Sequence, residues 1–310
     1  MKLDYVMCAS EEGFHKVVYS EWGLSEQNGS AVICVHGLTR NRHDFDPLAQ
    51  FLSADGHHVF CPDIVGRGDS DWLKNFKHYN YQQYILDMNV LIARTGAKRL
   101  HWIGTSMGGL IGMFLAGLPN SPIQSLILND IGPQLPLDAL GRLNQYVGRS
   151  NRFKTLEEAK QHYKTIHSGF GELTEDQWDY VTRHSIKEQS PGVFVPKVDP
   201  HIKASKPATQ LLKEFFSNPH RALEGIFFDI DLWYLWQKVK CPVLVIHGKK
   251  SDLLLPEYIR RMQRSHPSVD VFEIEEAGHA PILFHRREHE MIANWLPGDK
   301  ELQKIRTLVD

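Results

Sequence analysis

The sequence predicts an α/β fold: a mostly parallel sheet covered by helices on both faces, with a helical cap inserted into it. Short apolar runs rich in β-branched residues alternate with segments of helical periodicity along most of the chain. Repeated strand–helix–strand units place their strands parallel in one sheet. The alternation stops between about 134 and 237, and a length of 310 residues suits one large α/β domain with such an insertion.

The elements of the predicted sheet follow from hydrophobic patterning. The stretches "LDYVMCAS" and "HKVVYSEWG" near the start predict an antiparallel hairpin at the sheet edge. Buried strands are predicted within 31–37, 57–70, 99–106, 123–133, 242–248 and 269–279, the second of them continuing into a turn-rich loop. Helices are predicted between these strands at 45–54, 80–95, 107–118, 257–265 and 286–296.

The insertion carries helix-start signals of its own. Thr155–Glu158 and Thr174–Gln177 each fit a capping box, and Pro207 stands where a first helical residue would. We therefore predict a core formed by 1–133 and 238–310, and a mainly helical cap, or lid, formed by 134–237.

Composition and charge exclude several function classes. A net charge of −2 argues against a nucleic acid or an anionic membrane as the main partner. Cys34, Cys61 and Cys241 lie in or beside apolar strand-like runs, and no cysteine–histidine spacing suggests zinc. Asp4 interrupts the start where a signal peptide would be apolar, and no run is long enough to span a membrane. We expect a soluble, cytoplasmic protein.

Ser106 stands between glycines at a predicted strand-to-helix junction. The stretch from Gly104 to Gly108 fits the pattern G-x-S-x-G. Such a junction forces the turning residue into a strained conformation, and flanking glycines remove the Cβ atoms that would collide there. The serine hydroxyl is then presented at the carboxyl end of the sheet, where open α/β sheets bind ligands. The context predicts a serine nucleophile.

A serine nucleophile needs a base and a group that orients the base. The chain has 17 histidines, so position must discriminate among them. His279, in "EAGHAP", follows the last predicted strand, and Asp252, in "GKKSD", follows the strand before it. The order Ser, Asp, His fits this type of sheet. Asp130, which ends the strand "LILND", is the alternative acid.

Four stretches together resemble the α/β-hydrolase fold superfamily, in its serine esterase-like branch. They are "HGLT" (36–39), "GTSMGG" (104–109), "GKKSD" (248–252) and "AGHAP" (277–281), and the resemblance covers nearly the whole chain.

The resemblance implies a role for each site residue. Ser106 would be the nucleophile, His279 the base and Asp252 its orienting acid, while the backbone N–H groups of Leu38 and Met107 would form the oxyanion hole. It implies a serine hydrolase that cleaves a carboxylic ester through an acyl-enzyme. No metal or other cofactor is required.

Several neighbouring polar residues are given other roles. The resemblance places His36 in the turn of the oxyanion loop, with a structural role. Asp63 and Asp69 are expected to shape the loop "PDIVGRGDS" by hydrogen bonds. Arg40 and Arg42 are interpreted as solvated surface charge, with contact to a substrate carboxylate as the alternative.

The end of the insertion is dense in aromatic residues, of which Phe215, Phe227 and Trp233 are candidates for the substrate pocket. Few cations lie in this segment, so a small or medium apolar acyl group is expected. The expected partner is a small-molecule ester or acyl compound. A carbon–carbon bond hydrolase, a lactonase or amidase, an acyltransferase and a non-catalytic ligand-binding protein remain alternatives. The sequence does not predict the oligomeric state.

Overall fold

The centre of the fold is an eight-stranded sheet. Four further strands among the described residues form two separate two-stranded sheets. The computed structural model describes residues 1–23, 29–144, 151–202 and 229–296. The strands are β1 Lys2–Ser10, β2 Gly13–Trp22, β3 Ser30–Val35, β4 Val59–Pro62, β5 Arg99–Thr105, β6 Ile123–Asn129, β7 Gln134–Leu135, β8 Ile186–Ser190, β9 Val193–Pro196, β10 Ile230–Asp231, β11 Val243–Gly248 and β12 Val269–Ile274.

The helices alternate with these strands. They are α1 Asp46–Ala54, α2 Tyr81–Thr95, α3 Met107–Ala116, α4 Leu137–Asn144, α5 Leu156–Ile166, α6 Glu175–Ser185, α7 Trp233–Trp236, α8 Pro256–Ser265 and α9 Arg286–Trp295. Short 3₁₀ turns occupy Arg42–Phe45, Phe76–His78 and Ser168–Phe170. None of the helices in the described ranges has the length and apolarity needed to cross a bilayer.

The main sheet has the order β1-β2-β4-β3-β5-β6-β11-β12. β1, β2 and β4 pair antiparallel, and every later pairing is parallel. The predicted fold class is confirmed, including the hairpin at the edge. Three strands end earlier than their apolar runs suggested, at Pro62, Asn129 and Ile274. The residues beyond these ends form loops at the carboxyl edge of the sheet.

Both faces of the sheet are buried because successive side chains of each strand point to opposite sides. Ile33 belongs to a core cluster that includes Leu110 of α3. Val32, its neighbour, belongs to a second cluster with Leu48 of α1 and Ile292 of α9. Helices therefore cover the sheet on both sides, which fixes its loops in place at one edge.

The segment between β6 and β11 starts its helices largely as predicted. Thr174 and Gln177 form a complete capping box, with each side chain accepting the other's backbone N–H. At α5 only half of the box forms: Thr155 accepts the Glu158 N–H, but the Glu158 carboxylate accepts the N–H of Lys154 instead.

The insertion also contains strands that helical periodicity did not indicate. β8 and β9 form an antiparallel hairpin directly after α6, and β7 pairs with β10 where the chain leaves and re-enters the core. Pro207, Phe215 and Phe227 lie outside the described residues. The division into a core and a mainly helical cap stays a prediction.

Candidate active site

Ser106 occupies the sharp turn between β5 and α3. Its backbone is left-handed (φ 51°, ψ −112°), an unusual conformation for a residue with a Cβ atom. A Cβ atom on Gly104 would lie 2.3 Å from the carbonyl carbon of Gly108, and one on Gly108 would lie 2.1 Å from the Val35 carbonyl oxygen. Only glycine fits at both positions, as the sequence pattern predicted. The turn sets the serine at the start of the helix.

His279 and Asp130 continue from Ser106 as a hydrogen-bonded chain. The Nε2 atom of His279 lies 3.0 Å from Ser106 Oγ, and its Nδ1 atom lies 2.8 Å from Asp130 Oδ2. The Asp130 side chain is fully buried and that of His279 is 7% exposed. The structure thus brings together two of the three side chains that the sequence singled out, and adds the alternative acid.

The buried carboxylate of Asp130 is satisfied by donors from two segments, the end of β11 with the loop after it and the loop after β12. Oδ1 accepts the backbone N–H of Gly248 at 3.0 Å, and Oδ2 accepts the hydroxyl of Ser251 at 2.6 Å as well as the His279 ring. Buried carboxylates require such partners because desolvation is costly. These bonds fix the carboxylate in the plane that orients the imidazole.

The prediction that Asp252 orients His279 is wrong. Asp252 forms a two-pronged ion pair with Arg142 of α4, with both N–O distances 2.6 Å, and its side chain is 50% exposed. The physical reason is the path of the chain after β11: Ser251 turns toward Asp130, and Asp252 then points to the insertion. Because β6 and β11 are neighbours, both aspartates follow strands that end at the same place.

The peptide between Gly37 and Leu38 is held in a fixed orientation near Ser106. The Gly37 carbonyl accepts His36 Nδ1–H at 2.7 Å and the Arg40 N–H at 3.1 Å. Because a peptide plane sets C=O and N–H in opposite directions, the Leu38 N–H faces away from these donors. A Cβ atom on Gly37 would lie 3.8 Å from Ser106 Cβ, so the loop runs directly beside the serine.

His36 is a structural ring in the neutral form. Its Nε2 accepts the Ile64 N–H at 3.0 Å, so the proton resides on Nδ1, where it is donated to Gly37. Complete burial lowers the pKa of His36 to about 3. The imidazole therefore links two loops through its hydrogen bonds to the Gly37 carbonyl and the Ile64 N–H.

The expectation that Arg40 and Arg42 are solvated surface charges is wrong, because both are buried. Arg40 forms a two-pronged ion pair with Asp44, at 2.9 and 2.6 Å, and Arg42 pairs with Asp63 and with Asp69. Both guanidinium groups are thus already bound to carboxylates of this chain.

The loop after β4 is shaped by Asp63, as expected. Its Oδ1 accepts the Arg42 N–H at 2.7 Å and its Oδ2 accepts the Asp69 N–H at 2.9 Å. Burial raises the pKa of Asp63, against the effect of the nearby Arg42 charge. The carboxylate thus joins two loops at the carboxyl edge of the sheet.

Asn129 is a site residue that the motifs did not reveal. Its amide donates to Thr105 Oγ1 at 3.0 Å and to the Pro281 carbonyl at 2.7 Å, and its own carbonyl accepts the Ser106 N–H at 3.0 Å. The acceptor of the Ser106 N–H is the backbone carbonyl of Asn129, so the residue joins the serine turn to the histidine loop. The signal available in the sequence was a second polar residue, beside Asp130, ending an otherwise apolar strand.

Trp233 bonds at the start of the insertion and packs against α8. Its indole N–H donates to Gln134 Oε1 at 3.0 Å, and the guanidinium of Arg261 lies 3.9 Å from its ring centroid. These contacts join α7 to β7 and α8. The other two pocket candidates, Phe215 and Phe227, fall outside the described residues.

A buried group of Cys8, His15 and Asp87 has the donor types of a metal site, with ligand atoms within 4.8 Å of one another. The His15 ring already bonds to both carboxylate oxygens of Asp87, at 3.0 and 3.1 Å. Burial raises the pKa of the Cys8 thiol to about 12, and the neutral thiol is a weak ligand. The contacts tie the hairpin to α2, on elements that do not carry Ser106.

Comparison with known proteins identifies the fold family of the chain. A model of the alpha/beta hydrolase fold family matches residues 30–286. Over 283 residues the chain is 40% identical to the 3-hydroxybutyrate-oligomer hydrolase of Cupriavidus necator, covering 90% of this chain and 92% of that protein. It is 23% identical to Lipase 1 of Psychrobacter immobilis over 270 residues, covering 86% of this chain and 76% of that protein.

Solved structures show the same similarity. A putative hydrolase from Rickettsia typhi superposes with a TM-score of 0.83 at 34% identity, covering 96% of this chain and 99% of that one. An alpha/beta hydrolase from Novosphingobium aromaticivorans gives 0.78 at 28% identity, covering 94% and 96%. With these matches over nearly its whole length, the chain belongs to the alpha/beta hydrolase fold family and is a hydrolase.

Proposed function

We propose that the protein is a serine hydrolase that cleaves carboxylic esters of short acyl groups through an acyl-enzyme. The observation that supports this most directly is the unbroken hydrogen-bonded chain from Ser106 through His279 to Asp130. A serine hydroxyl becomes a nucleophile when a base accepts its proton and a carboxylate orients that base. Asp130 takes the role that the sequence had given to Asp252.

The reaction follows from this geometry. Ser106 Oγ attacks the ester carbonyl while His279 Nε2 takes its proton, and Asp130 stabilises the imidazolium. The N–H groups of Leu38 and Met107 hold the oxyanion of the tetrahedral intermediate. His279 then protonates the leaving alkoxide. Water, deprotonated by His279, attacks the acyl-enzyme, and the proton returns to Ser106 as the free acid leaves.

The name of the relative from Cupriavidus necator, 3-hydroxybutyrate-oligomer hydrolase, supports a substrate with short acyl groups. Such an oligomer is a series of esters between short hydroxy-acid units. Arg40 and Arg42 are engaged by Asp44 and Asp63, so neither is available to bind a substrate carboxylate. We propose that Ser106 attacks an ester whose acyl group is a neutral unit of the oligomer. The terminal carboxylate of the oligomer then remains in solvent.

The segment 134–237 acts in this proposal as a cap over the serine. The Gly278 N–H donates to the Gly169 carbonyl at 2.9 Å, so the insertion rests on the histidine loop. A Cβ atom on Gly169 would lie 2.4 Å from the His279 carbonyl oxygen, which shows how close the two backbones are. A cap in that position limits the length of acyl chain that the site accepts.

The proposal is tested with a fluorophosphonate probe and a panel of substrates. We expect stoichiometric labelling of the native protein at Ser106, and loss of about 10⁴-fold or more in turnover for Ser106→Ala with folding retained. The panel compares a butyrate ester, 3-hydroxybutyrate dimers and trimers, a succinate half-ester, a palmitate ester and a vinylogous diketone.

The butyrate ester or the 3-hydroxybutyrate oligomers should give the highest kcat/KM. Preference for the diketone would contradict ester hydrolysis in favour of carbon–carbon cleavage. Preference for the succinate half-ester would contradict binding of a neutral unit. Near-native turnover by Ser106→Ala would contradict the mechanism as a whole.

A further inference from the structure

Arg67, in the loop between β4 and α2, is a fully buried cation. Its Nε donates to the Leu38 carbonyl at 2.9 Å, and Nη1 donates to the Val65 carbonyl at 2.8 Å and to the Tyr84 hydroxyl at 2.9 Å. Nη2 lies 3.6 Å from the sulfur of Met107. The partners of this guanidinium are neutral groups: two carbonyls, a phenol and a thioether.

No carboxylate lies within salt-bridge distance of Arg67 in the described ranges, unlike Arg40 and Arg42. Burying an unpaired charge costs several kcal/mol on average, because hydration is lost without an ion pair to replace it. The ring of Tyr84, 4.9 Å from the guanidinium carbon, offsets part of that cost. No direct ion pair neutralises this charge among the described residues, and in a dry interior its field extends further than it would in water.

The contacts of Arg67 select two residues of the proposed site. One end of the guanidinium holds the carbonyl of Leu38, and another touches the side chain of Met107. These are the residues whose N–H groups would donate hydrogen bonds to the oxyanion. The bonds to the Gly37 carbonyl fix the peptide that contains the Leu38 N–H, and the bond from Arg67 to the Leu38 carbonyl fixes the next peptide.

We infer that Arg67 is a positioning residue for the oxyanion hole. It holds Leu38 and Met107 in their donating geometry, and its unpaired charge favours the anionic tetrahedral intermediate over the neutral ester. This inference rests on the proposed function. A charge that acts on the intermediate raises kcat, whereas one that served only to bind the substrate would change KM.

The test uses Arg67→Met and Arg67→Lys in the full chain. Methionine keeps the length of the side chain without its charge, and lysine keeps a charge but cannot reach Leu38 and Met107 together. Tyr84→Phe is the matched control, since it removes one partner of Arg67 and leaves the cation in place. For each variant we measure kcat and KM with a butyrate ester, the Ki of an aryl boronic acid, and the melting temperature.

The boronic acid reports the oxyanion hole directly because it adds to Ser106 as a tetrahedral anion. We expect Arg67→Met to lower kcat about 10- to 100-fold with KM changed less than about threefold, and to weaken boronate binding by a similar factor. Arg67→Lys should lower kcat about tenfold and raise the boronate Ki about tenfold. Tyr84→Phe should change each of them less than about threefold. A merely structural residue would lower the melting temperature and leave kcat and Ki unchanged.

Unchanged kcat and boronate Ki in a folded Arg67→Met protein overturn the inference. If that variant does not fold, Arg67→Lys decides in the same way. Failure of the proposed function is seen separately: a native protein that neither labels with a fluorophosphonate nor hydrolyses the ester refutes the serine mechanism, and Arg67 loses its role with it.

Discussion

Asp130 takes its position from one unusual backbone conformation. It follows the last residue of β6 with φ 53°, so the chain leaves the strand at that residue. Its N–H still donates to the Ile246 carbonyl at 2.8 Å, which anchors it to the neighbouring strand. The turn raises the carboxylate out of the sheet toward His279, and Ser251 and Gly248 complete its hydrogen bonds.

Two matched substitutions separate the buried aspartate from the exposed one. Asp130→Asn should lower kcat about 10⁴-fold, because an amide disfavours the productive tautomer of His279 and cannot stabilise its cation. Asp252→Asn should change kcat less than about tenfold, since it breaks only a half-exposed ion pair. Steady-state kinetics on both variants check this. The reverse order of effects would return the orienting role to Asp252.

The sequence identified Ser106 and His279 because their signals are local. A serine flanked by Gly104 and Gly108 at a strand-to-helix junction, and a histidine after the last strand, are each readable from a few residues. The carboxylate that bonds to the His279 ring was not readable in this way, because Asp130 and Asp252 both follow neighbouring strands. The choice depends on which loop turns inward, and that is set by tertiary contacts.

At the scale of elements, the close packing of α3 on β3 holds Ser106 in place. The Gly108 backbone lies so near the Val35 carbonyl that no side chain fits between them. The indole N–H of Trp102 on β5 donates to the Gly108 carbonyl at 2.9 Å, which ties the first turn of the helix to the sheet. The orientation of Ser106 thus depends on backbone contact between a helix and two strands.

Gly108→Ala should reduce the free energy of unfolding by about 2 kcal/mol or more, because the new Cβ atom pushes α3 away from β3. Activity should fall with it as Ser106 moves. The control is Gly141→Ala in α4, where a Cβ atom would meet nothing within 4 Å. Alanine there should be neutral or stabilise by about 0.5–1 kcal/mol. Denaturant titrations of both variants measure the difference, and equal effects would contradict the packing argument.

Helix starts were predictable only as far as their hydrogen bonds are local. The side chains of Thr174 and Gln177 bond reciprocally as the spacing indicated. The Glu158 carboxylate accepts the N–H of Lys154, one residue before the N-cap, instead of the N–H of Thr155. The hairpin β8–β9 escaped prediction because its exposed side chains show no clear apolar alternation.

For the whole molecule, buried histidines link stability to pH. Burial lowers the pKa of His36 to about 3, and of His101 and His184 to about 4. Each ring binds a proton more readily in the unfolded chain, near its ordinary value of 6.5. Stability is therefore full above that value and is lost as the pH falls toward the folded-state pKa values.

We expect the free energy of unfolding to fall by about 1.4 kcal/mol per pH unit for each of the fully buried rings His36 and His101 as the pH drops from about 6.5 toward 4. The half-buried His184 contributes less, because solvent screens its charge. Urea titrations across that range measure the slope. His101→Asn keeps an amide within reach of Ser125 without a titratable ring, so its slope should be shallower by about one proton. A native protein equally stable at both ends of the range would contradict the assignment.

At this scale the sheet and its two covered faces were predictable from alternating strands and helices. The position of β11 beside β6 was not predicted, because no local pattern specifies which strands pair across the intervening segment. The break in alternation at about 134 predicts the insertion, and this division stays a prediction. The contact of Gly169 with Gly278 joins residues far apart in the chain, which no local pattern specifies.

The hydrogen-bonded chain at the site joins parts of the polypeptide that are made far apart in time. Ser106 and His279 are separated by 173 positions, and Asp130 and His279 by 149. A ribosome must therefore add 173 residues after Ser106 before the serine can meet His279. A prematurely terminated product that lacks the last strand carries the hydroxyl without any group to activate it. Under the proposed mechanism, a fragment that ends before His279 does not cleave esters, and activity in a cell reports chains in which these segments have folded together.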